Sequence, residues 1–427
     1  MEKLVFRPGL GLLVALSTLP CTALAQTTPE PTPAPPPEVA PAAPVAPTPV
    51  PEPAPSLATP TMAPVTPEPA VIAAPAPAEA PPAEEEAPAP APTITGYVEA
   101  AYHIAFMNPH WDAPVPLHGF YDPTGNTFLL HGAHLAINHS FNENVSATIE
   151  FDAGFDAAAN GTLDHWWNPE GDATATIPFD VQEAYATYKS GIFSVTAGKF
   201  VTYEGIEVVE GPLNPTITRG FLFGFAEPVT HTGVKFHFTG EKVDFGIGIV
   251  NGWDKLVDNN DFKTFIFKLG LKPSDSFLAN ISGTFGSETP GVDDSHRLSL
   301  DLTGAWTVSE SFALWYQGNF GMDNIGGDGD TVSWFGFGLQ PTYTAEKFTF
   351  GARAEIFSDP DNYRMAFEGI DGATYVNLTL TPGFILAQGF KVRVELRLDI
   401  ATEEVLAKAD DPGKAQLTGA LGAEYVF

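Results

Sequence analysis

A closed transmembrane β-barrel of about sixteen antiparallel strands is the fold class this sequence predicts. Apolar residues alternate with polar ones from residue 94 to the end, and the links between these segments are alternately short and long. No run of 18 apolar residues interrupts the pattern. Side chains of a strand point alternately to two faces, so each segment has one face for water and one for something apolar. Sixteen such faces cannot pack into one soluble core without a partner sheet, whereas lipid covers them all.

The chain opens with Lys3 and Arg7, an apolar stretch from Leu10 to Leu19, and Ala23-Leu24-Ala25 before Gln26. Charged, apolar and small-residue segments in that order predict a signal peptide over 1–25. It is too short to cross a bilayer, which takes about 20 apolar residues. The single cysteine, Cys21, lies inside it, and Pro20 just before it disfavours lipidation. The mature chain then reaches an oxidising compartment with no disulfide.

Residues 26–93 carry 24 of the 41 prolines. Proline fixes φ and removes backbone donors, so this tract forms no core and favours a disordered, extended spacer. Fully extended it reaches on the order of 200 Å, long enough to serve as a periplasmic linker into the peptidoglycan. Of the net charge of -32, the first 25 residues hold +1 and residues 26–93 hold -8, which leaves -25 on 94–427. That sign excludes nucleic acid as a partner.

The barrel domain spans 94–427. Ile94, Gly96, Val98, Ala100, Tyr102, Ile104 and Phe106 alternate with polar or small residues to give the first strand, 94–106. Strands follow at 127–139, where the alternation is blurred, and at 144–155, where Val145, Ala147, Ile149, Phe151 and Ala153 share a face. The next are 178–189, 191–201, 230–239, 242–252, 261–271 and 276–286. In 295–307, Leu298, Leu300, Leu302, Gly304 and Trp306 share a face; 311–322, 331–343, 346–358 and 373–386 come next. In 390–401 every second residue from Lys391 to Asp399 is charged. The last strand, 416–427, ends in Tyr425 and Phe427, which resembles the C-terminal signature of bacterial outer-membrane β-barrels and so implies recognition by their assembly machinery.

Seven tight links join these strands in alternation with eight long ones at 107–126, 156–177, 202–229, 253–260, 287–294, 323–330, 359–372 and 402–415. Both ends of the barrel then emerge on the short-turn side, the periplasmic one. Within 202–229, pairing of Thr216–Phe225 as strands would change the count, so 14 or 18 strands remain open.

Ala197-Gly198-Lys199-Phe200 running to Gly205 and Glu207, with Asn214, Arg219, Phe221 and the return at His231-Thr232-Gly233, resembles the OmpL-like family of β-barrel porins. Glu395-Leu396-Arg397-Leu398-Asp399 resembles that family's late charged strand. The resemblance covers roughly 94–427 and implies an outer-membrane porin for passive diffusion of small hydrophilic solutes or ions. By similarity to sixteen-stranded porins, 202–229 is the third external loop, folded inward to narrow the pore. It carries Glu204, Glu207, Glu210, Glu227 and Arg219, and Lys199, Lys235, Arg353, Arg393 and Arg397 are expected on the facing wall. An acidic loop against a basic wall sets up a transverse field that tunes passage.

The same similarity implies a homotrimer. Outer-membrane lipid and lipopolysaccharide are the surrounding partners, the latter bridged through divalent ions by the acidic loops. The alternative is a structural anchor whose barrel tethers a Pro/Ala-rich tract to peptidoglycan or a periplasmic partner.

No catalytic, cofactor or metal site is read from the sequence. Ser140 beside His139 has no partner pattern for a nucleophile. Asp323–Asp330 offers oxygen ligands but not the twelve-residue calcium frame. His131 and His134, three apart on one strand, are expected on opposite faces and so to be poor co-ligands.

Overall fold

The computed structural model describes residues 91–107, 125–157, 159, 179–325, 329–367, 369–406 and 413–427. The expected signal peptide, the Pro/Ala-rich tract up to residue 90, and most of the links 107–126 and 156–177 lie outside the described residues.

Sixteen strands follow in order: β1 Thr93–Ala105, β2 Thr127–Ser140, β3 Val145–Ala153, β4 Phe179–Ser190, β5 Phe193–Val201, β6 Thr230–Thr239, β7 Val243–Val250 and β8 Thr264–Ser274. The second half is β9 Phe277–Ser287, β10 His296–Thr307, β11 Phe312–Asn324, β12 Thr331–Thr344, β13 Phe348–Asp359, β14 Ala373–Ala387, β15 Phe390–Ala401 and β16 Ala415–Val426. Each pairs antiparallel with its sequence neighbours, and β1 pairs with β16, so the sheet is a closed ring. Tyr97 stands opposite Val426 and Ala105 opposite Thr418 at the closing seam. Gly96 and Phe427 exchange two backbone hydrogen bonds there, at 3.1 and 3.0 Å. Closure satisfies the backbone groups that a lipid-bathed edge would strand.

Burial is inside out. On β15, Val394, Leu396 and Ile400 are 42–47% exposed, while Arg393, Glu395, Arg397 and Asp399 are at most 3% exposed. On β10, Leu300 and Leu302 are exposed and Ser299, Asp301 and Thr303 are buried. Apolar side chains therefore stand outward, where lipid covers them, and charged groups meet partners inside, as buried polar groups must.

Two bulges explain where the alternation blurs. Glu99 pairs with Gly132 but Ala100 with Leu130, which leaves His131 as an extra residue on β2. Glu150 pairs with Glu183 but Phe151 with Val181, so Gln182 is extra on β4. The bulge overturns the expectation for His131 and His134. Both are buried and meet residues on the inner face, because one inserted residue reverses the parity between them.

The segment 202–229 contains no strand. It has a 3₁₀ turn at Gly211–Leu213 and a π-helical turn at Leu222–Ala226. Pairing of Thr216–Phe225 is not realised, and the count stays at sixteen.

An apolar cluster fills part of the long-loop end. Phe221, Leu222, Phe225 and Ala226 of the 202–229 segment pack there with Trp253, Trp334, Phe357, Met365, Tyr375, Val405 and Leu406.

Candidate functional site: the 202–229 loop and the wall it meets

The loop is first held to itself. Thr202 N donates to Val229 O at 2.9 Å and closes its base. The Asn214 side chain accepts from Val208 N at 2.8 Å and donates to Val208 O at 2.6 Å. Arg219 donates to three loop carbonyls, Val208 at 3.0 Å, Val209 at 2.5 Å and Ile217 at 2.9 Å. A planar fork with five donors suits that task.

The loop then crosses to the far wall. It springs from β5 and β6, and β13 and β14 stand eight places away on a sixteen-strand ring. Such a barrel is roughly 30 Å across, and the stretch from 202 to 218 spans at most about 55 Å when extended, so the reach suffices. Glu395 on β15 accepts from Ile217 N at 2.5 Å, Thr218 N at 3.2 Å and Thr218 Oγ1 at 2.5 Å. Glu355 on β13 accepts from Phe221 N, and Asp301 on β10 accepts from Gly205 N at 2.8 Å. Two wall glycines allow the approach. A Cβ at Gly351 would lie 2.0 Å from Pro215 O, and one at Gly336 would lie 2.3 Å from Leu222 Cδ2.

The arginines of the wall join the same seam. Arg353 donates to Glu207 Oε1 at 2.7 Å, Thr216 Oγ1 at 2.9 Å and Thr218 O at 2.6 Å. Arg393 donates to Asn214 O at 3.0 Å and pairs with Glu99 and, at 2.7 Å, Glu424. Arg397 donates to Arg219 O at 2.7 Å and pairs with Asp399 at 2.9 Å. Their partners are loop carbonyls as often as carboxylates. The contact is therefore a neutralised seam carrying both signs on both sides, more mixed than acid facing base.

The remaining expected residues divide. Glu210 accepts from Gln182 Nε2 at 2.5 Å on β4. Glu204 accepts from Ser299 Oγ at 2.5 Å and Glu227 accepts from Gln317 Nε2, so their hydrogen-bond partners there are uncharged. Burial, with Asp301 close by, raises Glu204 to about 8. Burial, Asp301 and Glu204 push Glu227 well above the carboxylate range. Lys235 lies on a different wall, 4.1 Å from the Phe200 ring centroid and 5.2 Å from that of Tyr203. Lys199 bonds to β4 rather than to the loop. Its Nζ donates to Val181 O at 2.9 Å and pairs with the buried Asp180 of β4 at 3.4 Å, away from the seam.

Sequence reasoning missed the groups that anchor the π-helical turn. Trp334 Nε1 donates to Ala226 O at 3.0 Å and Arg364 Nε to Phe225 O at 2.7 Å. Arg364 lies 4.9 Å from the Trp334 ring centroid and 5.3 Å from that of Trp253, within cation–π range. Burial lowers Arg364 to about 10. An aromatic excess in the links at 253, 363 and 367 was the one available signal. Asp323, considered above as a calcium ligand, instead pairs with Arg297 at 2.7 Å and accepts from Tyr363 Oη at 2.8 Å. Among the described residues no group of three or more His, Cys, Asp or Glu is arranged to hold a metal ion.

A closed sixteen-strand barrel with an apolar exterior, a polar interior and an inward loop defines the porin class of outer-membrane protein. The family described as "Putative beta-barrel porin-2, OmpL-like" matches residues 92–427, and the chain belongs to it. No curated protein matches the sequence.

Solved structures show the same fold at low identity. The outer membrane channel DcaP of Acinetobacter baumannii is 12% identical with a TM-score of 0.55, over 79% of this chain and 97% of that one. The anion-selective porin from Comamonas acidovorans is 9% identical with a TM-score of 0.54, over 79% and 99%. The trimer form of OmpT, an outer membrane protein of Vibrio cholerae, is 12% identical with a TM-score of 0.50, over 79% and 99%.

Proposed function

We propose that this chain forms a water-filled pore for passive diffusion of small hydrophilic solutes or ions, narrowed by the 202–229 loop. The observation that carries the proposal is the bonding of loop amides at Ile217, Thr218 and Phe221 to Glu395 and Glu355, on the wall facing the loop's own base. A loop fixed at both sides of a lumen divides its cross-section. On the β9–β16 side the inner residues are buried almost throughout, whereas Glu150, Lys235, His237, Asp244 and Lys268 on β3 and β6–β8 keep partial exposure. The solute path then runs along that less covered wall, whose charges set its preference.

Single-channel recording in planar bilayers tests this. Discrete steps are expected, with a several-fold higher conductance once residues 206–226 are replaced by a short Gly/Ser link. Absence of steps would defeat the pore, and an unchanged conductance would defeat the narrowing. The charge of -25 on 94–427 favours cations, so a salt gradient should give a cation-directed reversal potential. By likeness to the trimeric OmpT form, the barrel assembles as a homotrimer. We further propose the division into a signal peptide at 1–25, a periplasmic linker at 26–93 and the barrel at 94–427.

A further inference from the structure

We propose that Glu150 and Glu183, backed by Gln182 and Glu210, form a subsite on the lumen wall for the guanidinium or primary ammonium group of a cationic solute. The inference rests on the pore reading and names the solute chemistry of its less covered wall. Glu150 of β3 and Glu183 of β4 stand directly opposite each other in the ladder. Like charges in that position are destabilising unless something lies between them.

The barrel holds a second pair of this kind, and there the occupant is visible. Glu99 of β1 stands opposite Glu424 of β16, and the guanidinium of Arg393 pairs with both, at 2.7 Å to Glu424. A planar group with several N–H donors bridges two carboxylates in this way. Glu150 and Glu183 have no such bridge. Among the described residues no Lys or Arg comes within 4.0 Å of either, and the one ion-pair contact is His134 Nε2, 3.7 Å from Glu150. His134 is itself held by Asp152 at 3.0 Å and stacks on Tyr97. The adjoining links 107–126 and 156–177 contain no Lys or Arg in their sequence.

The bulge on β4 completes the site. It turns two consecutive side chains, Gln182 and Glu183, toward the inside, both of them buried. Gln182 Nε2 donates to Glu210 Oε1 of the loop at 2.5 Å, which sets the amide head beside that carboxylate. Gln182 Oε1, on the same head, is buried without a donor, a costly state that an N–H of the solute would relieve. Glu150 and Glu210 keep partial exposure and form the mouth, while Gln182 and Glu183 form the back. The carboxylates do not gather as metal ligands do, whereas a polyatomic cation reaches acceptors that stand further apart.

The test is saturation-transfer NMR on the full-length protein in detergent. The probes are agmatine, which carries a guanidinium and an ammonium, and tetramethylammonium, which has the charge but no N–H. Agmatine should give a saturable signal and tetramethylammonium one weaker by about tenfold or more. Glu150→Gln and Glu183→Gln should each weaken agmatine binding about tenfold, and Asp275→Asn in an exposed turn should leave it unchanged. Heat-shifted gel mobility confirms folding; Glu150→Gln is near-isosteric and partly exposed, so it carries the test if Glu183→Gln misfolds. No saturable agmatine signal, equal binding of tetramethylammonium, or full binding in Glu150→Gln overturns the proposal. Binding is read without current. Channels that conduct but bind no agmatine defeat the subsite alone, and a protein that binds agmatine but conducts nothing defeats the pore alone.

Discussion

Replacing Arg353 by Met should release the loop from its far wall while leaving the barrel closed. Arg353 sits on β13, fully buried, and four of its hydrogen bonds run to the loop: to Glu207 Oε1, Thr216 Oγ1, Thr218 O and, at 3.2 Å, Thr218 Oγ1. Met fills much of the volume but strands the Glu207 carboxylate, whose remaining partners are Gln340 Nε2 at 2.8 Å and Gly220 N at 2.7 Å. Removing one partner of a buried ion pair costs about 3–5 kcal/mol. At about 1.4 kcal/mol per tenfold, the docked-to-undocked ratio falls by a factor on the order of 10²–10⁴. The β12–β13 and β13–β14 ladders keep their backbone bonds, so the variant should remain heat-modifiable on gels.

Single-channel recording should then show higher conductance with added flicker, and liposome swelling should admit larger sugars. Glu207→Gln should restore part of the quiet state in the Arg353→Met background, because it removes the stranded charge; the double-mutant cycle measures that coupling. Equal conductance and equal noise in wild type and Arg353→Met would refute the view that this arginine holds the loop.

Other expectations follow from the same seam and shell. Glu204 and Glu227 have raised values when docked, so docking is strongest below about pH 4.5, weakens as an undocked loop ionises, and has lost the Glu204 contribution once pH passes about 8; current noise should grow between pH 6 and 9, and less so in Glu204→Gln. Leu396→Arg puts a cation on the lipid face of β15, where Leu396 is 47% exposed, and should lower folding stability in vesicles by about 2–4 kcal/mol if it lies near the midplane. Deleting Phe427 removes both bonds to Gly96 and the ring packed on Tyr425, and should reduce the yield of heat-modifiable barrel in the outer membrane.

The shell was legible because strand alternation is local. Each of the sixteen segments carries its own record of which residues face lipid, and the short and long links fix the up-and-down order. The blurred stretch at 127–139 was the place where one extra residue, His131, shifted the parity. The seam was legible only in part. Alternation puts Arg353, Arg393 and Arg397 inside, but it cannot say that they end on the carbonyls of Thr218, Asn214 and Arg219, up to 179 residues away. Nor does it show that Glu395 and Glu355 receive loop amides. Those pairings depend on curvature and closure of the whole ring, which no single segment encodes. Arg219 illustrates the limit: its charge suggested a solute-facing group, and its geometry makes it a clamp on its own loop.

The aromatic cluster ties what lies outside to what lies within. Tyr363 and Arg364 belong to the link between β13 and β14, yet Arg364 grips Phe225 of the inward segment and Tyr363 reaches Asp323 at the end of β11. A contiguous set of contacts of this kind can carry a displacement from one end to the other. Under the narrowing proposed above, an insertion in this link that tips Arg364 also unseats Phe225, so a change at the rim becomes a change in what the pore admits.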